Sequence, residues 1–233
     1  MTIRDLKGKV QDKIPVKNVI VSVYDKTGLD AFIPGLLEAN PEVRFFSTGG
    51  THKRLNEILG FRAPEHLAEV SDYTGFPEME GGLVKTLHPK IHAGILGERY
   101  NPDHQRYLRD DLEDAVYIDM VVVSLYPFEQ VISAPGCGFE KARGNIDIGG
   151  PTMIRGAAKN FPSCAVVCTP EDYQNVLAHI NDNEGCTTFD ERFDLAKKAF
   201  ETTGLYEAEI SMYFSQHFAE NVREDYEFNE VVE

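Results

Sequence analysis

The chain has 233 residues, 42% of them hydrophobic, which is enough for one large domain with a substantial core. Its formal net charge of −15 argues against nucleic-acid binding, because a phosphate backbone attracts clustered lysine and arginine. A phosphorylated small molecule would meet the same repulsion, so a helix N-terminus or a few lysines would have to hold it. The sequence contains no apolar run long enough to span a membrane and no signal-peptide core, so we expect a cytoplasmic protein with no membrane partner.

The cysteines and histidines predict no metal centre. Four cysteines occur without a CxxC pair, and Cys164 and Cys168 lie in an apolar run that is typical of a strand. Buried free thiols are therefore favoured over a metal or redox site. His88 and His92 have the spacing of a metal pair, but Pro89 between them disfavours a shared helix face and the sequence offers no third ligand.

Short runs of β-branched and aromatic residues predict the strands. They occupy residues 19–23, 43–46, 120–125 and 165–168. The absence of strict alternation is typical of strands covered on both faces, and the segments between them carry helical patterns, as at 29–39 and 53–59. This order predicts an α/β fold of three layers, a largely parallel sheet with helices on both faces.

The last third of the chain is predicted to be mostly helical. Thr169 supplies a capping hydroxyl and Pro170 fits the first helical position, so a helix is expected to begin there. Apolar residues recur at helical spacing over residues 190–218, as one long helix or as two helices separated at Gly204. We interpret this periodicity as packing rather than chemistry.

The two ends of the chain differ from its middle in composition. Residues 1–17 are polar and rich in lysine, and residues 219–233 contain six acidic residues and one arginine. Both are expected to be adapters or frayed tails, an N-terminal extension and an acidic C-terminal tail. Residues 18–218 would then form the folded domain.

Four polar segments are expected to converge at the carboxyl edge of the sheet, where parallel sheets bind their ligands. They span residues 22–28, 47–51, 81–89 and 145–152. The second has the features of a phosphate cradle, two glycines and hydroxyl groups before a helix, although a plain Gly-Gly connector would have a similar sequence. The third carries Lys85 in a predicted ordered loop, with a solvated surface loop as the alternative.

The fourth segment places Asp147 shortly before a helix. Pro151 fits the first helical position, and Lys159 follows about two turns later. An acid at this position commonly caps a helix or compensates its dipole, so Asp147 alone does not indicate catalysis.

Together the segments resemble a known family. The shared motifs are SVYDKTGL at 22–29, STGGT at 47–51, TGFPEM at 74–79, VKTLHP at 84–89, LYPF at 125–128, IDIGG at 146–150 and RGAAKN at 155–160. In this order, over residues 18–215, they resemble the IMP cyclohydrolase domain of the bifunctional purine biosynthesis protein. The resemblance implies the methylglyoxal-synthase-like α/β fold.

The resemblance also implies an activity. The family closes 5-formamidoimidazole-4-carboxamide ribotide to inosine monophosphate (IMP) and water, the last step of de novo purine biosynthesis, without a cofactor. The second, formylating domain has no room in 233 residues, so we expect a stand-alone cyclohydrolase with a separate formyl-transferring enzyme upstream. We further expect a homodimer whose ligands are the ribotide substrate and the IMP product.

By resemblance, the reacting shell consists of Lys85, Tyr126, Asp147 and Lys159. Lys85 and nearby backbone N–H groups are expected to stabilise the oxyanion and Asp147 to shuttle the proton, while the other two residues tune the charge. Ring closure is intramolecular, so no protein nucleophile is required. The predicted substrate-binding residues are Ser22, Tyr24, Lys26, Thr27, Thr48, Gly49, Gly50, Thr51, Thr86, Ser124, Ile148, Gly149 and Gly150.

Two positions depart from the family pattern. Leu83 stands where the family usually has arginine, which removes a bidentate phosphate contact, and Ser124 stands where it usually has asparagine. The phosphate is therefore expected to depend more on Lys26 and on the turn at 48–51.

Two other functions stay open. A lyase acting on a triose phosphate would use the same fold and phosphate turn, but it leaves the Lys85 and Asp147 segments unexplained. A non-catalytic module that binds a nucleotide or ribotide is compatible with the loss of arginine at position 83, but it has no need of all four reacting residues.

Overall fold

The fold is built on a parallel sheet. A computed structural model describes residues 10–77, 79, 84–113 and 115–228. Its strands are β1 (Ile14–Pro15), β2 (Asn18–Val23), β3 (Arg44–Ser47), β4 (Leu67–Glu69), β5 (Met120–Ser124), β6 (Ala165–Val167) and β7 (Cys186–Thr187). Five of them form the main sheet, all parallel, in the order β4-β3-β2-β5-β6, and β1 pairs with β7 in a separate antiparallel ribbon.

The four strands predicted from apolar runs are confirmed. The boundaries of β2, β3, β5 and β6 lie within one residue of the predicted ones. In the two central strands, Val19, Val21 and Val122 are fully buried, because helices cover both faces of the sheet. The strand β4 was not predicted: it has three residues, each partly exposed, and its pairing with β3 defines it.

Helices occupy the connections between the strands. They are α1 (Leu29–Ala39), α2 (Gly49–Leu59), α3 (Ala63–His66), α4 (Val70–Thr74), α5 (Pro89–Leu96), α6 (Pro102–Arg106), α7 (Phe128–Ile132), α8 (Phe139–Gly144), α9 (Gly149–Lys159), α10 (Tyr173–Asp182), α11 (Phe189–Ser215) and α12 (Ala219–Val222). The helix predicted at 29–39 is confirmed as α1. The helix predicted at 53–59 begins earlier, because the Gly-Gly turn is itself the first turn of α2.

The crossover connections place helices on both faces of the sheet. From β2 the chain passes through α1 to β3 and through α2 to β4, then returns past β2 to β5 and continues through α9 to β6. Such crossovers are right-handed. The chain moves from β2 toward β4 in the first half and from β5 toward β6, the opposite direction, in the second, so α1 and α2 lie on one face and α9 on the other. Helix α10 packs on α1 and α11 packs on α9, so the three-layer α/β fold is confirmed.

The last long helix is one uninterrupted element. Helix α11 has 27 residues, and Gly204, the predicted break point, lies inside it at an exposed position. A single glycine costs a helix only about 1 kcal/mol, which the packing of α11 against α9 and β6 offsets. The apolar spacing predicted the helix but only part of its buried face: Ala196 and Tyr206 are buried, whereas Phe193, Phe200 and Phe214 are exposed, and the buried face includes Leu195 and Ala199.

The described part of the N-terminal segment is packed. Ile14 and Val16 are each 1% exposed, and β1 pairs with β7. The expectation of a frayed tail therefore does not hold for residues 10–17. At the other end, the carboxylate of Asp225 accepts the backbone N–H of Phe139 at 3.1 Å, so part of the acidic segment contacts α8.

The cysteines are all free thiols. Cys164 and Cys168 are buried as expected, whereas Cys137 and Cys186 are partly exposed. Burial raises the pKa of Cys168 to about 12, which is typical of an unreactive thiol. Within the described ranges, no helix combines the length and the apolar content needed to cross a membrane.

Candidate active site

The candidate site lies at the topological switch point of the sheet. The chain leaves β2 toward α1 on one face, and β5 leads through α7 and α8 to α9 on the other, which opens a crevice at the carboxyl ends of these strands. Two hydrogen bonds join the loops there: the N–H of Tyr24 donates to the Ser124 carbonyl (3.3 Å) and the N–H of Asp25 to the Ser124 hydroxyl (3.1 Å). The rings of Tyr24 and Tyr126 meet edge to face, with centroids 5.5 Å apart.

The first turn of α2 has two lysines beside it. The N-cap residue, Thr48, makes no side-chain capping hydrogen bond. Gly49 has a φ of 51°, a left-handed conformation that favours glycine, and a β-carbon there would lie 3.2 Å from the Lys85 Nζ. A β-carbon on Gly50 would lie 3.9 Å from the Cε of Lys26. A helix N-terminus with two lysines beside it has the features that bind anions in proteins.

The hydroxyl residues of this region divide into two roles. The buried Thr51 hydroxyl donates to the Val23 carbonyl (3.0 Å) and accepts the Val23 N–H (3.2 Å), so it joins α2 to β2. Thr27 instead has an exposed side chain, and its N–H donates to the Asp25 carboxylate at 2.9 Å. Ser22, near the end of β2, is partly exposed. The predicted ligand role of Thr51 thus falls on a side chain that already has a structural partner.

An acid that sequence reasoning missed lies at the same turn. Glu69, the last residue of β4, accepts the Gly49 N–H at 3.3 Å, and its other carboxylate oxygen lies 3.0 Å from the His52 Nδ1. A carboxylate here favours the start of α2, because helix N-termini attract negative charge. Pairing of β4 with β3 brings the acid to this turn, so the missed strand is the reason it was not predicted.

The loop before α5 contacts the start of α9. The buried Thr86 hydroxyl lies 2.6 Å from the position that a β-carbon on Gly149 would take. The ring of His92 is hydrogen-bonded to the Thr86 backbone, and His88 caps α5 by accepting the Lys90 N–H at 3.2 Å. Both histidines therefore have structural partners. Leu83 lies outside the described residues, as do residues 80–82.

Asp147 occupies the turn that leads into α9. Its carboxylate accepts the Gly150 N–H at 2.8 Å, and a β-carbon on Gly150 would lie 2.5 Å from its other oxygen, so only glycine fits there. Burial raises the pKa of Asp147, against the opposing effect of backbone hydrogen bonds from Gly150 and Tyr126. The same carboxyl group thus accepts an N–H group of the first turn of α9, from the position before the N-cap, and lies beside the Tyr126 segment. Ile148 is the N-cap of α9 and is exposed.

Lys159 does not join this cluster within one chain. It is the last residue of α9, ten residues after Gly149, and its side chain is exposed. At 1.5 Å per residue, the two ends of the helix lie about 15 Å apart. A lysine side chain cannot cover that distance, so the grouping of Lys159 with Asp147 rests on the resemblance alone.

Comparison with known proteins identifies the family. The family model of the MGS-like domain matches residues 28–152, more than half of the chain. The chain belongs to the MGS-like domain family. Residues 157–232 match the model of the AICARFT/IMPCHase bienzyme, in agreement with the resemblance drawn from the motifs. The crystal structure of ForH is similar, with 30% sequence identity and a TM-score of 0.70 over 85% of this chain and 98% of ForH.

The MGS-like part and the bienzyme-like part meet in a cleft beside the site. The cleft has a volume of about 400 Å³ and lies between the loops after β5 and β6 and the middle of α11. Its described lining includes Glu129, Glu171 and Glu209 and neither lysine nor arginine. In the strand order the cleft lies on the β6 side of β5, whereas the first turn of α2, with its two lysines, follows β3 on the other side.

Proposed function

We propose that this protein is an IMP cyclohydrolase, which closes 5-formamidoimidazole-4-carboxamide ribotide to IMP and water. One observation carries the proposal: Lys85 lies against the first turn of α2, and its neighbour Thr86 contacts the start of α9, where the partly buried carboxyl group of Asp147 lies beside Tyr126. A phosphate-binding turn alone would suit many ligands. The addition of a proton-transfer group and a cation suits a reaction that forms an oxyanion and moves protons.

The chemistry requires orientation, charge stabilisation and proton transfer. The carboxamide nitrogen attacks the formamide carbon, a C–N bond forms, and the carbonyl oxygen becomes an oxyanion. One proton from the carboxamide nitrogen and one from the formamide nitrogen then leave with that oxygen as water. Attack within one molecule gains most from a fixed geometry, since effective molarities for oriented reactions reach roughly 10⁵–10⁸ M.

The described residues divide these tasks. Lys85 stabilises the oxyanion by its positive charge. Asp147 accepts the carboxamide proton and returns it to the departing oxygen, and a pKa raised by burial favours both directions of transfer. The phosphate binds at α2, near Lys26. The proposed reaction needs no cofactor, and a formyl-transferring reaction would supply the substrate.

The direct test is to add purified protein to the formylated ribotide and to follow the purine absorbance. We expect turnover that a chelator leaves unchanged and that Lys85→Met lowers at least roughly 10²-fold. Lys90→Met is the matched control. Lys90 lies on α5, directly after the loop that carries Lys85, but its ammonium group donates to the Tyr73 carbonyl at 3.3 Å and not to the candidate site. Binding of IMP without turnover would favour the non-catalytic module, and turnover of a triose phosphate would favour the lyase.

A further inference from the structure

A tyrosine of α11 contacts the backbone of the candidate catalytic acid. The N–H of Asp147 donates to the hydroxyl of Tyr206 at 2.8 Å, across 59 positions of sequence. Tyr206 is 5% exposed, and burial raises its pKa to about 12, so the hydroxyl stays protonated. Because the oxygen accepts from Asp147, the contact fixes the turn that carries the carboxyl group.

The same ring also supports the Tyr126 segment. Tyr206 meets Phe128 edge to face, with centroids 6.4 Å apart, and Phe128 meets Tyr213 in the same way at 5.7 Å. Together with Ala142, these residues form a small core that is separate from the main one. The loop after β5 and the turn before α9 are thus packed against one face of α11.

This support comes from outside the MGS-like part of the chain. The match to the MGS-like domain ends at residue 152, whereas Tyr206 falls within residues 157–232, which match the AICARFT/IMPCHase bienzyme. The first part supplies Tyr126 and Asp147, and the second part supplies the group that bonds to the Asp147 turn. A phosphate-binding turn would function without that hydroxyl, but a proton shuttle requires the carboxyl group in a fixed place.

We propose that Tyr206 is a positioning residue, which holds Asp147 in the orientation for proton transfer through its hydroxyl group. This inference rests on the proposed cyclohydrolase function. Loss of the hydroxyl leaves the Asp147 N–H without this acceptor, beside a cleft from which water can enter. The turn then relaxes, and the carboxyl group moves relative to the substrate. Phosphate binding is spared, because Tyr206 contacts the loop after β5 and the turn before α9, whereas Lys26 follows β2 and α2 follows β3.

The test compares Tyr206→Phe with Tyr213→Phe. Both variants remove a single hydroxyl from the same helix and the same small core. We expect Tyr206→Phe to lower kcat about 10- to 100-fold, the scale of a misplacement of about 1 Å, while the Kd for IMP changes less than about threefold. Tyr213→Phe should keep kcat within about twofold. Equal losses in both variants, or an unchanged kcat in Tyr206→Phe, would overturn the proposal.

A double-mutant cycle separates positioning from general stability. If Tyr206 acts through Asp147, Tyr206→Phe should have little further effect on kcat in an Asp147→Asn background, whereas independent effects would multiply. Multiplying effects would contradict the proposal. Hydrogen exchange of the Asp147 amide, faster in Tyr206→Phe than in Tyr213→Phe, checks the contact without any assay. A wild-type protein that binds IMP but forms none would refute the cyclohydrolase function, while the exchange result would still test the contact.

Discussion

At the scale of single residues, Asp147 combines two roles that the sequence could not separate. Its carboxylate accepts the Gly150 N–H at 2.8 Å, which is the geometry of a helix cap. Burial nevertheless raises its pKa, although a cap exposed to water would have its pKa lowered by such a bond. The group therefore stabilises the helix start and is also suited to exchange a proton with a ligand.

Replacement of this acid by asparagine should separate the two roles. The asparagine would still cap α9, since asparagine caps about as well as aspartate, but it cannot accept a proton. For Asp147→Asn we expect kcat to fall roughly 10²- to 10⁴-fold with the fold intact, measured by purine absorbance. A stable variant with near wild-type turnover would leave Asp147 with the capping role alone.

The same variant predicts a pH dependence of stability. Because burial raises the pKa of Asp147 in the folded state above its ordinary value, the folded state binds this proton more tightly than the unfolded chain. The favourable contribution is therefore present below about pH 4 and is lost as the pH rises through the raised pKa. Relative to wild type, Asp147→Asn should gain thermal stability at about pH 8 but not at about pH 3. A Tm difference that does not change between these pH values would contradict the raised pKa of Asp147.

Lys159 offers a test of geometry against resemblance. Because α9 separates it from Asp147 by about 15 Å, we expect Lys159→Ala to lower kcat less than about tenfold, far less than Asp147→Asn. Steady-state rates of the two variants, measured side by side, decide this. A loss of equal size would mean that Lys159 reaches the reaction from another copy of the chain or through a rearrangement.

At the scale of elements, the first turn of α2 carries charges of both signs. Lys85 lies against it, while Glu69 accepts its first N–H group at 3.3 Å and pairs with His52. The acid thus supplies an acceptor for an N–H group that the helix itself leaves unpaired. If phosphate binds at this turn, as we propose, the same carboxylate repels it, and removal of the charge should raise the affinity for the ligand.

Glu69→Gln should therefore strengthen phosphate binding. Glutamine keeps an oxygen that can accept the Gly49 N–H and removes the negative charge. We expect the affinity for IMP to rise about 3- to 10-fold at low ionic strength, and the gain to shrink as salt is added. Titration calorimetry measures the affinity for IMP, and inosine, which lacks the phosphate, should show no such gain. The matched control is Glu57→Gln, an exposed position near the other end of α2. If Glu69→Gln weakens IMP binding and Glu57→Gln does not, the Glu69 carboxylate mainly orders the turn.

At the scale of the whole molecule, one buried arginine joins distant parts of the chain. Arg192 of α11 is fully buried and donates to carbonyl groups of Gln11, Asp12, Phe161 and Thr187, at distances of 2.8–2.9 Å. Burial lowers its pKa to about 10, so it remains charged at neutral pH. The arginine thus connects the N-terminal segment, the loop after α9 and the strand β7.

Loss of this arginine should destabilise the protein strongly. Arg192→Met keeps much of the apolar volume but leaves several buried carbonyl groups without donors, so we expect the free energy of unfolding to fall by about 3–5 kcal/mol. Urea denaturation gives the value. Lys197→Met, five positions along the same helix with an exposed side chain, should change it by less than about 0.5 kcal/mol. Equal effects would contradict the connecting role of Arg192.

The sequence by itself determined the features that depend on neighbouring residues. The apolar runs of β2 and β5 and the helical spacing of α1 report burial directly, because each element buries its own side chains. In α11 the spacing predicted the helix, but Phe193, Phe200 and Phe214 of that pattern are exposed. The polar turns at 47–51 and 145–152 follow from glycine and hydroxyl residues at the ends of elements. The resemblance of these motifs then predicted the family, which the comparisons confirmed.

Only the tertiary structure decided which side chains meet. The partners of Asp147 and Arg192 lie 59 and up to 181 positions away in sequence, at Tyr206 and Gln11, and no local pattern encodes such pairs. Glu69 was missed because its strand is too short to recognise without its neighbour. Helix geometry likewise separates Lys159 from Asp147, although the family resemblance groups them. Contacts across the fold arise from the packing of whole elements, so the site had to be assembled in three dimensions before its parts could be assigned.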